Sequence, residues 1–560
     1  MTNKISEKQR QYASFYTPPE LAQILTDWAI TDPKSTILDP SFGGCAFLYA
    51  SMETLKELGN SSPGRQIFGV DIDPEARSYL HPLINNEAGP EQFVISDFFA
   101  LNPQDLSPNL FDSVVGNPPY IRYHSISDKA EEQAILSLKR HNIKLSRRAS
   151  YWAFFLLYSM QFLRKGGRLA MVLPGSLFHT DYSEQVRLFL KGFFREVTIF
   201  LLEDRVFDGT EEESVIVFAN GAREPNESVR IGEIQKIKDL SKALQNGHNS
   251  TRQLVNETRD GEWIRALVNE DALKIYDKLA ETENFIRLGE LVTTRLGVVT
   301  GNNSYFILSP DEQAENHIPD EFLTPVVRRP LQLPGLTVNN KDLLTGDRSQ
   351  KYLLLAIRPD HTKLPKSVKR YIEYGQTLEV DKGTKCGARK SWYSVPEIFV
   401  PQAFMPCMSA SWPHLTMNRS IYTCTNNILR LTRTKYRPDL DWPSLALGTL
   451  STFSQFSAEL VGRSYGGGVL KLEPKELVRL IVPILPRDKV SQVTQKVDSL
   501  LKSAKYSEAT ELVDAEVIKS DIGLRSKDLE RIMLARNQLL GRRRHNRNDA
   551  SRFLSTAQDP

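Results

Sequence analysis

Short apolar runs that end on polar tips recur through the first 220 residues and alternate with stretches of helical spacing. Thr36-Ile37-Leu38, Gln66-Ile67-Phe68-Gly69-Val70, Phe93-Val94-Ile95 and Phe111-Asp112-Ser113-Val114-Val115 read as strands. Apolar residues return at helical spacing after Thr17-Pro18-Pro19, with Thr17 as N-cap and Pro18 in the first turn. Cys45-Ala46-Phe47-Leu48 opens a second helix, and Tyr151 to Leu163 predicts another. Thr198 to Leu202 and Ser214 to Ala219 read as two later strands. Strand, glycine loop and helix over 36–48 form the first crossover of a nucleotide-binding α/β sheet. From about 222 to 285 the pattern loosens into a polar stretch studded with Asn226, Asn246, Asn249, Ser250 and Asn256, a linker or a set of edge elements. Order returns near 288. The tail from about 490 to 545 has the spacing of two helices, followed by a basic, solvated end at Arg542-Arg543-Arg544-His545.

The strand tips carry the chemistry. In an open α/β sheet the carboxyl ends of the strands share one crevice. The first loop, Asp39-Pro40-Ser41-Phe42-Gly43-Gly44, starts with an acid and lacks a phosphate-binding Lys-Ser/Thr. It suits a ligand with a cationic amino-acid portion better than one with a pyrophosphate. Asp71, at the second tip, is placed to accept from ribose hydroxyls. Asp97, at the third, can accept from an adenine amino group, with Phe98 beside it to cover a ring face. The fourth tip is Asn117-Pro118-Pro119-Tyr120. Each proline fixes φ and lacks an N–H, so the backbone is stiff and its carbonyls are free to accept. The Asn117 side-chain oxygen and the Pro118 carbonyl can meet one planar amino group, with the Tyr120 ring as a platform. A single tip of this kind is equally a surface acid capping a helix, or a simple turn; four in succession are harder to dismiss.

Composition sets limits. The 560 residues leave room for two or three domains, and 40% hydrophobic with 25% charged residues describe a soluble globular chain. The net charge of +3 is too mild to indicate nucleic-acid binding, so any basic surface must be local. Cys45, Cys386, Cys407 and Cys424 show no C-x-x-C spacing, which argues against a zinc site or disulfides and fits a reducing cytoplasm. No charged-then-apolar leader and no apolar run near ~18 residues is present, so neither secretion nor membrane insertion is indicated.

The chain resembles the gamma class of DNA adenine-N6 methyltransferases. The matching residues, in the family's order, are FYTPPE (15–20), DPSFGGCAFL (39–48), GVDIDP (69–74), SDFF (96–99), NPPY (117–120), YWAF (151–154), GGRLAMVLP (166–174) and RVFDG (205–209). The resemblance implies an α/β, Rossmann-like S-adenosylmethionine-dependent methyltransferase domain over 1–222. Linker or edge elements would follow over 223–285, then a mixed α+β target-recognition domain binding DNA over 286–489, then C-terminal helices and a basic tail over 490–560. One departure is Cys45, where the family often has a glycine; a Cys tolerates φ > 0 poorly, which predicts a differently shaped loop.

By the same resemblance, Thr17, Pro18 and the loop with Asp39, Pro40 and Gly43 touch the methionine end of the cofactor. Asp71 holds the ribose, and Ile72, Asp97 and Phe98 frame the adenine. Asn117 and Pro118 accept from the target N6 amine, with Pro119 stiffening the tip, Tyr120 stacking on the base and Phe207 packing on its other side. Phe154 matches a residue near the pocket and reads equally as core. The amine is a poor nucleophile because its lone pair is delocalised. Two acceptors on its hydrogens draw it towards tetrahedral geometry and stabilise the charge that develops as the methyl arrives. A sulfonium supplies the electrophile, so no metal is required, and the base must be flipped out of the duplex.

The second half nominates contacts to double-stranded DNA. Leu291 to Phe306 resembles the opening of a recognition domain. Basic residues interleave with aromatics at Arg328-Arg329, at Arg389-Lys390-Ser391-Trp392-Tyr393 and from Arg430 to Arg437. Arg295, Arg389, Lys390, Trp392, Tyr465 and Gly467 are the named candidates, although scattered Arg and Lys are more often solvated surface. The expectation is a cytoplasmic monomer in a restriction-modification system, with a cognate endonuclease encoded nearby. Protein-glutamine methyltransferases share the Asn-Pro-Pro-Tyr tip but are much shorter, and cytosine-N4 enzymes favour Ser in place of Asn. A fused endonuclease is the remaining rival. The FYTPP motif begins near residue 15, and the formal Pro438-Asp439…Glu473-x-Lys475 pattern is interrupted by Pro474.

Overall fold

Successive residues along the strands of the first half enter two different cores. Leu38, Leu169, Met171 and Leu173 belong to one, and Ile37, Ala170 and Val172 to the other. Strands buried on both faces read as continuous apolar runs, which is why the sequence marks them without alternation. The computed structural model describes residues 17–80, 88–121, 128–147, 149–178, 181–202, 214–226, 228–253, 263–343, 349–358, 363–436, 441–465, 468–485, 487–519 and 522–545. Phe15, Tyr16, the 205–209 motif with Phe207, Asn256, Arg437 to Asp439 and Gly466-Gly467 lie outside the described residues. The chain divides into two compact units, Met1–Leu267 and Val268–Pro560.

The first unit is built on a sheet that has nine strands among the described residues: β1 (Ile37–Asp39), β2 (Ile67–Asp71), β3 (Phe93–Ile95), β4 (Phe111–Gly116), β5 (Leu163–Pro174), β6 (Phe194–Leu202), β7 (Ser214–Ala222), β8 (Ser228–Ile234) and β9 (Thr251–Gln253). Their order is β3-β2-β1-β4-β5-β7-β6-β8-β9. Strands β1 to β5 pair parallel, and β7 inserts antiparallel between β5 and β6. Helices α1 (Pro19–Ala29), α2 (Ala46–Glu57) and α6 (Ile237–Gln245) cover one face; α3 (Asp128–Arg140), α4 (Tyr151–Ser159) and α5 (Asp181–Phe193) cover the other. This is the doubly wound, Rossmann-like α/β arrangement expected from the alternation. The polar stretch after residue 222 supplies β8, α6 and β9 at the sheet's edge.

Two local expectations shift. Helix α1 starts at Pro19 with Pro18 in the cap position, so Thr17 lies one residue too early to cap and is buried instead. Helix α4 ends at Ser159, because Leu163 is already paired with Phe111 as the first residue of β5. All nine residues of α4 are buried, as a helix apolar all round requires.

In the second unit a five-stranded sheet forms from β10 (Val292–Leu296), β11 (Thr337–Asn339), β12 (Ala403–Pro406), β13 (Thr416–Arg419) and β14 (Ile428–Arg433), ordered β10-β14-β12-β13-β11. Helix α7 (Glu270–Ala280) precedes it, and α8 (Lys366–Thr377) lies within an insertion between β11 and β12. Among the described residues the tail makes three α-helices where the spacing suggested two helices: α9 (Arg487–Lys502), α10 (Tyr506–Val513) and α11 (Ser526–His545). The basic run Arg542 to His545 is not a solvated end but the last turn of α11. Arg543 and Glu459 are 3% and 4% exposed and pair at 2.6 Å. Further Arg543 N–H groups donate to the Gly468, Ala410 and Ser411 carbonyls, and Trp412 Nε1 donates to Glu459. A charge this well satisfied can be buried; one left alone cannot. Among the described residues no helix is long and apolar enough to cross a membrane.

Arg543→Ala strands the Glu459 carboxylate in the core, and should lower the unfolding free energy by about 3–5 kcal/mol in a urea titration.

Candidate active site

The chain builds β1, β2 and β3 outward in one direction, then returns to lay β4 against the opposite side of β1. Crossovers therefore leave β1 and β4 in opposite directions, and a crevice opens at their carboxyl ends. Asp39 is the last residue of β1 and Asp71 of β2; Asp97 follows β3 by two residues, and Asn117 directly follows β4. Parallel pairing puts all four at one edge of the sheet.

The loops at this edge are tied to one another. Asp39 Oδ1 accepts from the Ser41 amide at 3.0 Å, and the Ser41 hydroxyl donates to the Asn117 carbonyl at 3.2 Å. Gly116 permits the close approach of β4: a Cβ there would lie 3.1 Å from Asp39 Oδ1. Asp71 accepts from the Gly43 amide at Oδ2 and from the Asp73 amide at Oδ1, both at 2.8 Å. Each of its oxygens keeps a further lone pair for a ligand hydroxyl. Asp97 accepts from the Phe99 amide at 3.0 Å. Ile72, at the β2 tip, leaves an apolar side chain 56% exposed.

Burial sets the electrostatics of this crevice. Asp39 is 1% exposed, and its Oδ2 has no hydrogen-bond partner among the described residues. Burial pushes its carboxyl up to about 8; the Ser41 amide opposes this, and the neighbouring Asp71 carboxylate adds to it. Burial also raises Asp71, against the Asp73 and Gly43 amides, and raises Asp97 against the Phe99 amide. Three carboxyls held above their ordinary range share one edge.

The Asn-Pro-Pro-Tyr tip sits in this frame. Pro118 is buried, Asn117 and Pro119 are half-buried, and the half-buried Tyr120 packs against both cores. The far end of the tip is held by the Tyr151 amide, which donates to the Ile121 carbonyl at 3.1 Å. Pro18 is half-buried and Pro40 is buried. Phe98 is 3% exposed, with its ring 4.9 Å from Phe155 and Phe162, so it backs the edge from within the core. Phe154 is likewise core, at 1% exposure.

Cys45 caps α2 with φ 65° and ψ 16°, in the left-handed region a glycine would occupy. The cysteine itself takes up the left-handed conformation and bears its strain. Its fully buried thiol is pushed up to about 12, chiefly by burial and then by Asp39 and Asp71. Ser41, Gly116 and Tyr151 were not nominated from sequence. The Asp-x-Ser spacing of an Asx turn at 39–41 was the available sign for the first.

In the second unit several nominated residues turn inward. Arg389 donates to the Val299 and Thr300 carbonyls at 2.8 and 2.7 Å and lies over the Phe306 ring. Trp392 is half-buried against Tyr305 and Phe306. Arg430 is 3% exposed, donating to the Leu296 carbonyl at 2.9 Å and lying over Phe399. These three brace the fold from within, Arg430 buried and Arg389 and Trp392 half-buried. Arg295 is exposed and faces Glu397 at 3.5 Å; Lys390 is exposed. Tyr465 ends a short strand, Arg463–Tyr465, and Gly467 lies outside the described residues. Glu473 caps a helical turn, Pro474–Leu477, so the formal Glu-x-Lys pattern is not on a strand.

Comparison with known proteins adds the following. The family profile described as N-6 DNA Methylase matches residues 1–287, and that described as Type II methyltransferase M.Eco57I, C-terminal domain, matches residues 260–518. The type II methyltransferase M.AccI of Acinetobacter calcoaceticus is 23% identical over 518 residues, covering 89% of this chain and 90% of that protein. M.XamI of Xanthomonas campestris pv. amaranthicola is 23% identical over 486 residues, covering 84% and 85%. The type IIL restriction-modification enzyme MmeI, solved in complex with DNA, shares the fold with a TM-score of 0.54 at 12% identity, covering 91% of this chain and 73% of that one.

Two outcomes follow from the edge itself. Left-handed backbone reverses the usual order of small residues at position 45, so Cys45→Gly should be more stable than Cys45→Ala by about 1 kcal/mol in denaturant titrations. Asp39 keeps its proton in the folded state up to about 8 and loses it near the ordinary carboxylate value of 3.8 when unfolded, so its contribution to stability falls as pH rises through that interval. Without added ligand, Asp39→Asn should therefore melt above the parent protein at pH 8, with the gap narrowing towards pH 4, as read by calorimetry.

Proposed function

Since the chain belongs to the N-6 DNA methylase family, we propose that the four-tip edge binds S-adenosylmethionine and methylates N6 of an adenine flipped out of double-stranded DNA. It does so at a specific sequence, as the modification enzyme of a restriction-modification system. The two relatives matched along most of their length are named type II methyltransferases, which supports this setting. We assign methyl transfer to the unit that ends at Leu267 and sequence recognition to the unit that begins at Val268. A cognate endonuclease remains part of the proposal.

The observation that carries the reading is the orphaned, buried Asp39 Oδ2 beside a tip that is built to accept from a planar amine. The residues fit the cofactor. Asp39 would take its ammonium group, with Thr17, Pro18, Pro40 and Gly43 around the methionine end. Asp71 would take the ribose hydroxyls on its remaining lone pairs, and Ile72 and Asp97 would meet the adenine. When bound, the cofactor supplies an electrophilic methyl group on a sulfonium. The chain's own part is to prepare the nucleophile. Asn117 Oδ1 and the Pro118 carbonyl accept from the two amine hydrogens, and the prolines hold both acceptors without reorganisation. Tyr120 stacks on the extruded base, which offsets part of the stacking lost from the duplex.

Asn117→Ala should lower methyl transfer by at least about 10²–10³-fold, the cost of one preorganised polar group. Calorimetric affinity for S-adenosylmethionine should stay within about threefold of the parent, because the other tips hold the cofactor. Single-molecule sequencing of DNA from expressing cells reads the modified base and its context together. Unchanged turnover in the variant, or methylcytosine in that DNA, would overturn the assignment.

A further inference from the structure

The segment from Lys363 to Lys390 holds eight Lys and Arg residues against three Asp and Glu, a net charge of +5. The whole chain carries +3, so everything outside this segment sums to −2. The charge is laid along one side of α8. Val368, Tyr371, Ile372 and Gly375 are buried, whereas Lys366, Lys369 and Arg370 are exposed, together with a single acid, Glu373, and Tyr374.

The buried side of α8 is locked in place. Tyr371 and Tyr305 stack at 4.9 Å, and each hydroxyl donates to the other's backbone carbonyl at 2.9 Å. Gly375 admits the Trp392 and Tyr305 rings so closely that a Cβ there would lie 2.4 Å from the indole. Arg389 and Trp392 are thus fasteners behind this helix. What they hold is a rigid outer face.

That face is not arranged for the helix's own benefit. Lys366, Lys369 and Arg370 fall in its first five residues, with no acid in the first turn, where the macrodipole disfavours cations. Among the described residues none of the three has an ion-pair partner, whereas Lys382 further along is paired with Glu379 at 2.7 Å. Three unpaired cations at the less favourable end of a helix reduce its stability, and the gain must come from an anion outside the chain. Lys366 to Arg370 spans roughly 6 Å of helix axis. Duplex DNA presents one phosphate charge per about 1.7 Å of its axis, so that span meets about three phosphates.

We propose that the outer face of α8, Lys366, Lys369 and Arg370, continued by the exposed Lys385 and Lys390, grips the phosphate backbone of double-stranded DNA and reads no sequence. The inference rests on the DNA substrate proposed above and names the surface that holds it. Its signature is electrostatic. Replacing all three α8 residues with Gln in the full-length protein should reduce the slope of log K against log[salt] by up to about 2.7, at ~0.9 per phosphate. Affinity near 0.1 M salt should fall on the order of tenfold or more, equally for cognate and unrelated duplexes. The KM for DNA should rise while kcat stays within about twofold. The triple variant Lys236→Gln, Lys238→Gln, Lys242→Gln, exposed on and before α6, removes the same charge elsewhere and should leave the slope unchanged. Both triple variants change exposed residues only, and their melting temperatures report folding. An unchanged slope in the α8 variant, an equal change in the control, or a loss confined to the cognate sequence would overturn the inference. A parent protein that neither binds nor methylates duplex DNA would instead overturn the function on which it rests.

Discussion

The pairing of β4 against β1 is the constraint on which the first unit's chemistry depends. It joins strands that are 74 residues apart at their starts, and it alone brings Asp39 and Asn117 to one edge. Both ends of the pair are stitched. At the amino end the Asp112 carboxylate accepts from the Thr36 amide and hydroxyl at 2.8 and 2.9 Å. At the carboxyl end Ser41 reaches the Asn117 carbonyl, and Gly116 leaves room for the Asp39 carboxylate. Preorganisation of the amine acceptors is therefore a property of the sheet, inherited by the loop.

The second unit depends on buried cations in the way the first depends on buried carboxyls. Arg543, Arg430 and Arg389 each reach two or more carbonyls, or a carbonyl and an aromatic face, inside the unit. A guanidinium has five donors in a fixed planar fork and a flat face that stacks on aromatic rings, so it can close several loop ends at once. Loop-rich folds with small sheets need such fasteners, because much of their backbone finds no strand partner.

This explains which features could be read from the chain and which could not. The strand tips were legible because polar tips on apolar runs are local patterns, and parallel strands concentrate them at one edge. Cys45 was legible as a departure, yet its outcome was not: the strain of a left-handed cysteine is outweighed by the loop's bonds to Val70 and Asp71. Thr17 missed the cap by one residue because two prolines compete for the helix start. The basic residues were legible only as clusters. Whether an arginine faces water or a carbonyl depends on residues tens of positions away, so Arg389-Lys390 reads as one basic cluster although its two members point to opposite fates.

Charge completes the picture. Asp39, Asp71 and Asp97 gather acid at an edge where burial raises each above the ordinary carboxylate range, so their charged forms call for a cation. Lys366, Lys369 and Arg370 gather base where the helix dipole opposes them, a standing demand for an anion. A cationic cofactor and an anionic substrate are the pair of ligands that would relieve both. The two demands nearly cancel in the sum over 560 residues, which is why a net charge of +3 conveys neither. Function is written in where the charges conflict with their own surroundings, since each such conflict costs stability that only a bound partner returns.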